Sequence, residues 1–506
     1  MQYDAIIIGS GLAGLSAGAK LSKEGMRVLL VEQHNRVGGC ATTFKRKDFT
    51  FEVGLHELNG LGKNEHLYKV YQDLEVSDNL TFLKIPEFYR LIIADMDLNI
   101  PDDTNQYRDI LIKNFPHEEM GIRKYVESIN QIRDNVFQLP QNKIIKNLLT
   151  PFFPILFPKM IFNMKKSVGE FLDSIIQDDK LNLVLLGNLL YYHDDPYTMS
   201  LIYWSVAQSS FLAGANFVQG GSQKLSDHLA GIITSNGSEV LTRHLATKIL
   251  FENQKAVGIE FGRNTKKDSA VKKAYAKYII ANSALSNVAN DLLPEEKSIK
   301  LKKKIDSLKI SPSLLNVYMG FNSTLEKFGV KHYSTIVMDK SCTSPIDMYQ
   351  NFRGDFNKRY FIFVDYGQVD SKLAPKGKSV GSICTSDYLE DWENLSDDDY
   401  TSKKEQVAEI LIERLNKVYP GIKGAIECYE VGTAKTIKRY TMNPGGSVYG
   451  FAQIPRQAGN KRLSQESSFE NLYFASAWTE PGGGFGATLG SGYMVANKIL
   501  KKSRRQ

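Results

Sequence analysis

The 506-residue sequence is poor in cysteine, histidine and long apolar runs, and each shortage removes a class of function. Its four cysteines, Cys40, Cys342, Cys384 and Cys428, form no CxxC pair. That spacing argues against a zinc site or redox dithiol and suits a reducing, cytoplasmic compartment with free thiols. The eight histidines are scattered, and no His/Cys/carboxylate group has ligand spacing, so no metal is expected. No G-x-S-x-G elbow is present, which removes a common hydrolase signature. No stretch reaches the roughly 18 uninterrupted apolar residues of a spanning helix. The opening MQYDAIIIGSGLAGLSAG lacks the basic region and cleavage site of a secretory signal. Nor is there an excess of one charge: 63 Lys and Arg against 56 Asp and Glu leave +7. No basic face interleaved with aromatics accompanies that balance, so no nucleic-acid partner is expected. No internal repeat and no low-complexity linker interrupts the chain.

What is present is the makings of a large core. Hydrophobic residues are 42% and charged residues 24%, which places the chain with globular proteins rather than disordered ones. At roughly 100–200 residues per domain, the length allows two or three domains.

The first 32 residues are the most informative. Tyr3–Ile8 is an apolar run, broken only by Asp4, of the kind buried in a parallel sheet. It leads into Gly9-Ser10-Gly11-Leu12-Ala13-Gly14, a G-x-G-x-x-G that opens a helical stretch. Arg27–Val31 is a second buried strand, and it ends at Glu32, 18 residues after Gly14. Each glycine has a task. Gly9 allows the tight turn, Gly11 lets backbone approach a pyrophosphate, and Gly14 lets helix and sheet pack closely. The helix N-terminus then offers free N–H groups and a positive dipole end to the diphosphate. Glu32 stands where a carboxylate accepts hydrogen bonds from the adenosine ribose hydroxyls.

Arg36-Val37-Gly38-Gly39 follows directly. It resembles the R-x-G-G element of the flavin oxidoreductase superfamily of amine oxidases, protoporphyrinogen oxidase and phytoene desaturase, in which the loop runs beneath the flavin. The resemblance implies FAD as cofactor. The run Gly38-Gly39-Cys40-Ala41-Thr42-Thr43-Phe44, with Phe51-Glu52-Val53-Gly54-Leu55-His56, is similar to the corresponding stretch of retinol saturase and its bacterial relatives. Glu52 replaces the more usual Asp. Arg439–Gly450 (RYTMNPGGSVYG) resembles a segment of carotenoid and retinoid oxidoreductases. Asn471–Gly492 (NLYFASAWTEPGGGFGATLGSG) resembles their C-terminal flavin motif, in which a glycine loop opens the last helix at about Gly486 and Ala487. Many relatives carry Gly-Asp where this chain has Ser476-Ala477. Gly220–Leu225, three strand-like runs and Tyr278–Asn282 fit the same pattern, and Ala246 would give main-chain contacts on the adenine side.

These motifs imply an α/β fold: a Rossmann-type, amine oxidase/phytoene desaturase-like FAD domain with an inserted α+β substrate domain. The FAD domain would use residues 1–75, 220–290 and 425–506. The insertions 76–219 and 291–424 would form the substrate domain, with a strand-like run at Leu314–Phe321 and a helical reading for 160–190.

Asn147–Asn163 (NLLTPFFPILFPKMIFN) is almost wholly apolar, holds four phenylalanines, is broken by Pro151, Pro154 and Pro158, and is flanked by Lys143, Lys146, Lys159, Lys165 and Lys166. An aromatic segment with a basic rim reads as a peripheral membrane contact. The resemblance then implies a lipophilic small-molecule substrate, a polyene, isoprenoid or unsaturated lipid, whose carbon–carbon double bond is reduced, desaturated or isomerised. A retinol saturase-like reduction is favoured. His56 is the candidate catalytic residue, with a structural role in its loop as the competing assignment. Tyr191, Tyr192, His193, Asp194 and Asp195 form a further polar cluster, and Glu480 sits in the C-terminal loop. A flavin amine oxidase and a non-enzymatic prenyl-lipid carrier share the fold and stand as alternatives. One dinucleotide fingerprint gives no dedicated NAD(P)H domain, and the electron partner stays open.

Overall fold

The computed structural model describes residues 2–63, 65–140, 143–264 and 270–505. Gln2–Ile8 is the central strand of a seven-stranded sheet. It pairs in parallel with Val28–Val31 on one side and with Lys272–Ala281 on the other. Glu239–Leu241 extends the sheet beyond Val28–Val31, and Leu472–Phe474 joins the C-terminal end of Lys272–Ala281. The hairpin His244–Glu252 and Lys255–Arg263 completes it in antiparallel sense. Every residue of Val28–Val31 is buried, as expected of a strand covered on both faces.

The helix Leu12–Lys23 is buried from Leu12 through Ser22. Its composition explains this. Alanine, glycine and serine give it no bulky face, so other elements approach from all sides. The C-terminal helix Phe485–Ser503 lies against it so closely that a Cβ on Gly492 would meet the Ala13 carbonyl oxygen at 1.9 Å.

The second seven-stranded sheet runs Ile426–Gly432, Ser313–Phe321, Ser379–Asp387, Phe361–Asp365, Ser334–Met338, Tyr89–Ile93, Met96–Ile100. Alternation decides its two faces. Leu315, Val317 and Met319 pack with Leu411 and Leu415 of the helix Asp397–Val418. The intervening Leu314, Asn316 and Tyr318 face a cavity. The edge strand Ile426–Gly432 belongs to this sheet, paired with Ser313–Phe321. The sequence reading groups residues 425–432 with the FAD domain, whereas this strand hydrogen-bonds within the second sheet. The motifs after residue 438 carry no information about that strand.

Helices Thr104–Asn114, Glu119–Phe137 and Leu201–Phe211 build the helical side of the inserted part. The 160–190 region is not one helix. A capping box at Ser167 and Glu170 restarts the chain as Val168–Asp173, and Asp178 caps Asp179–Leu185. Around residue 150 the prolines sit in the first turns of short helices, ending with Phe153–Leu156 and Pro158–Asn163.

Candidate active site

The two glycine motifs meet. Gly38 N donates to the Ser10 carbonyl at 2.9 Å, and Gly11 and Gly38 form a parallel bridge. A Cβ on Gly39 would stand 3.3 Å from Gly11 Cα. Gly9 has φ +94° and faces the Asn282 carbonyl, so a side chain there is both strained and blocked. Asn282 locks the turn, its side-chain amide donating to the carbonyls of Gly9 and Gly11 at 3.1 Å each. Gly14 is needed because that amide lies over it: its Cβ would be 2.2 Å from Gly9 O and 2.6 Å from Asn282 Nδ2. The reason is this polar lock more than helix–sheet packing, and Asn282 itself is not marked by any spacing rule.

Glu32 is buried beside the turn. One carboxylate oxygen accepts from Ser10 N at 2.8 Å and Ser10 Oγ at 2.6 Å, and the other from His34 N at 2.7 Å. The oxygen facing His34 retains a lone pair for a ribose hydroxyl, while the one facing Ser10 already accepts two hydrogen bonds. Leu245, Ala246 and Thr247 line the same end.

At the other end, Gly484 precedes the helix Phe485–Ser503 without a side-chain cap, and Gly484, Phe485, Gly486 and Ala487 line the cavity. The helix at Leu12 likewise starts at Gly11 with no side-chain cap. Two uncapped helix N-termini of 12 and 19 residues thus face one space. Uncapped N–H groups at a positive dipole end are an anion's donor set. A third helix, Ser222–Ser235, offers no such end. Glu52 accepts from Ser222 N and Oγ at 2.7 Å each and from Leu55 N at 3.0 Å. The larger residue in place of Asp is thereby used to tie the helix start to the 51–56 loop.

The cavity measures about 1370 Å³. That exceeds the roughly 300–1,000 Å³ of a site for one drug-sized ligand. It has room for a dinucleotide and a second, apolar molecule. The glycine turns, Glu32 and the two helix ends fit FAD at one side. Leu190, Ile202, Val206, Phe211 and Leu314 supply the apolar remainder.

His56 lies in this apolar part, buried. Its backbone is fixed by the Tyr333 hydroxyl, which donates to the His56 carbonyl at 2.6 Å. Its Nδ1 meets the Tyr191 hydroxyl at 3.1 Å. Burial pushes its pKa down to about 4, so the ring is neutral at neutral pH. Of the polar cluster at 191–195, Tyr191 and Tyr192 line the cavity, while His193 and Asp194 turn away to each other and to Tyr388. Asp195 accepts from Tyr197 N and Thr198 Oγ1 in a turn. Cys40 and Cys384 also line the cavity, but burial pushes their thiols up to about 11 and about 12. They are not nucleophiles at neutral pH.

Sequence reasoning passed over Glu57. The residue lines the cavity, while both carboxyl oxygens are covered and have no hydrogen-bond partner among the described residues. Burial, then the charges of Asp102 and Glu87, push its pKa well above the ordinary 4.5. An unpaired buried carboxyl costs about 1–3 kcal/mol or more. Only its adjacency to His56 could have drawn attention to it.

The cavity reaches the protein surface at the proline-broken segment: Lys146, Phe153, Met160 and Ile161 line it. Phe153 and Phe157 point inward and are buried, whereas Ile155 is 79% and Phe162 70% exposed. Among the described residues no helix is long and apolar enough to cross a membrane.

A family model described as flavin containing amine oxidoreductase matches residues 12–500. Among curated relatives, prolycopene isomerase 2 of an Oncidium hybrid cultivar is 27% identical, over 98% of this chain and 84% of that one. The all-trans-retinol 13,14-reductase of Danio rerio is 26% identical, over 99% and 87%. In fold, the chain is similar to an oxidoreductase from Methanosarcina mazei (TM-score 0.64, 18% identity, 98% of this chain and 100% of that one). It is also similar to a putrescine oxidase bound to putrescine (TM-score 0.65, 14% identity, 99% of each). With the glycine turns, the acidic ribose position and the two helix ends in one cavity, the chain belongs to the flavin-containing amine oxidoreductase family and is an FAD-dependent oxidoreductase.

Proposed function

We propose that the protein acts on a carbon–carbon double bond of a lipophilic polyene, isoprenoid or unsaturated lipid, in the manner of a retinol saturase, taking its substrate from a membrane surface. One observation carries this reading. The apolar cavity is continuous from the glycine turns to a mouth lined by Phe153, Met160 and Ile161, beside exposed apolar side chains and lysines. Large exposed apolar patches mark membrane or partner contact, and a basic rim favours an anionic lipid surface. The relatives, a prolycopene isomerase and an all-trans-retinol 13,14-reductase, agree with such a cavity.

Bound FAD supplies the two-electron, hydride-level exchange that such a bond requires. The chain must do the rest. Tyr192, Tyr203 and Phe211 wall the bond off from water. His56, neutral and joined to Tyr191, offers a fixed polar edge without a charge. Saturation of a double bond adds a proton to one carbon. We assign Glu57 as the proton reserve behind the wall: burial keeps it protonated at a pH where free glutamate is ionised, and, its oxygens being covered, it acts through the neighbouring Tyr191 rather than on the substrate carbon itself.

The test compares two substrates. Reduced enzyme given an all-trans polyene alcohol in anionic vesicles is expected to yield a product heavier by two hydrogens. Oxidised enzyme given simple amines is expected to release no peroxide. Peroxide from amines, with polyenes left unchanged, would replace this reading by that of an amine oxidase.

A further inference from the structure

Arg462 belongs to none of the recognised motifs, yet it is one of the few buried cations of the protein, 5% exposed. Its guanidinium donates to four backbone carbonyls: Ala477 at 2.5 Å, Thr479 at 2.9 Å, Phe451 at 3.0 Å and Tyr449 at 3.5 Å. Tyr449 and Ala477 line the cavity, so the charge lies one hydrogen bond behind its wall. The four carbonyls come from two segments, Tyr449 and Phe451 at and just past the end of the RYTMNPGGSVYG run and Ala477 and Thr479 in the C-terminal loop that resembles a flavin motif. Arg462 therefore fastens that loop to the 449–451 segment.

A clamp alone does not need a charge. Buried charges are normally paired, because leaving water costs several kcal/mol that an opposite charge must offset. Arg462 makes no ion pair with any described carboxylate. After burial, the groups acting on it are Tyr203 and then Glu480, and Glu480 is itself drawn to Lys498 and Lys146. Burial lowers the Arg462 pKa to about 10, which leaves the group charged at neutral pH. The N-terminus of Phe485–Ser503 brings a second positive end to the same wall. The protein thus holds a cation without an ion pair among the described residues, balanced only at a distance by Glu480, directly behind the loop expected to hold the cofactor.

We infer that Arg462 is an electrostatic positioning residue: its charge behind the Tyr449–Ala477 wall favours the negative charge that a flavin gains on two-electron reduction, and so raises the cofactor's reduction potential. The inference rests on FAD binding alone and is independent of the polyene reading.

The experiment measures the flavin reduction potential of the purified holoenzyme by anaerobic equilibration with reference dyes, in wild type, Arg462→Gln and Arg462→Lys. Gln keeps a hydrogen-bonding amide without charge, and Lys keeps the charge without the fork. The expected result is a lower potential in Arg462→Gln and a return toward wild type in Arg462→Lys, with flavin content retained. An unchanged potential in flavin-replete Arg462→Gln overturns the inference. Where a variant sheds flavin, its potential is measured after reconstitution with excess FAD, and a variant that regains flavin with the wild-type potential, or that no excess of FAD reloads, leaves Arg462 a structural clamp and overturns the inference.

Discussion

Glu57→Gln is expected to make the protein more stable at neutral pH and less active on a polyene. The ordinary glutamate pKa is 4.5, and burial raises that of Glu57 well above it. In the unfolded chain the carboxyl therefore loses its proton first as pH rises, and folding must take a proton back up. A raised folded pKa contributes stability that is complete below about pH 4.5. That contribution is lost as pH climbs toward the folded value, at about 1.4 kcal/mol per pH unit. The amide is nearly isosteric and does not titrate. The two proteins should thus unfold at similar denaturant midpoints at low pH, and the variant should lead by a widening margin toward neutral pH. Midpoints of the holoenzyme across a pH series are the appropriate readout, because a chain of this size need not unfold in two states. In the same samples, turnover on a polyene should fall while flavin content holds. Parallel midpoint curves would refute the reasoning, since they would mean that the carboxyl is solvated or paired. A stabilised variant with full turnover would remove Glu57 from the chemistry.

Other outcomes follow from the same geometry. Gly14→Ala places a methyl 2.2 Å from Gly9 O and 2.6 Å from Asn282 Nδ2. It should cost at least about 1–3 kcal/mol of stability and most of the bound flavin, read from the flavin-to-protein absorbance ratio. The double variant Ile155→Ser, Phe162→Ser removes two side chains that are 79% and 70% exposed. It should leave flavin content and melting unchanged while weakening cosedimentation with anionic vesicles by tenfold or more, since each side chain is worth about 1.5–3 kcal/mol when fully buried in lipid. Tyr191→Phe leaves His56 Nδ1 without its 3.1 Å partner. It should lower kcat more than it changes KM, and an equal loss in both would give the pair a binding role only.

The sequence made legible what depends on neighbours along the chain. Strand, glycine turn, helix, second strand and Glu32 lie within 32 residues, so spacing alone constrains them. The strand at Ser313–Phe321 is legible because an apolar run of that length must be buried. The broken 160–190 region carried its own signals, Ser167 with Glu170 and Asp178, in competition with a helical composition. What stayed hidden depends on distant partners. Asn282 reaches Gly9 across 273 residues, and Gly492 owes its identity to the Ala13 carbonyl. Ile426–Gly432 shows an ordinary alternating pattern, and only its register with Ser313–Phe321 assigns it to the second sheet. Glu57 and Arg462 are unremarkable letters until burial and the absence of an ion pair among the described residues give them meaning.

The central claim is that reduced flavin in this cavity passes its electrons to a lipid double bond. Anaerobic mixing of the dithionite-reduced holoenzyme with all-trans-retinol, lycopene and a polyunsaturated fatty acid in turn tests it most directly. At least one is expected to restore the oxidised flavin spectrum and to be recovered as a dihydro product. A holoenzyme whose reduced flavin persists with every lipid, while simple amines reduce its oxidised form, would contradict it.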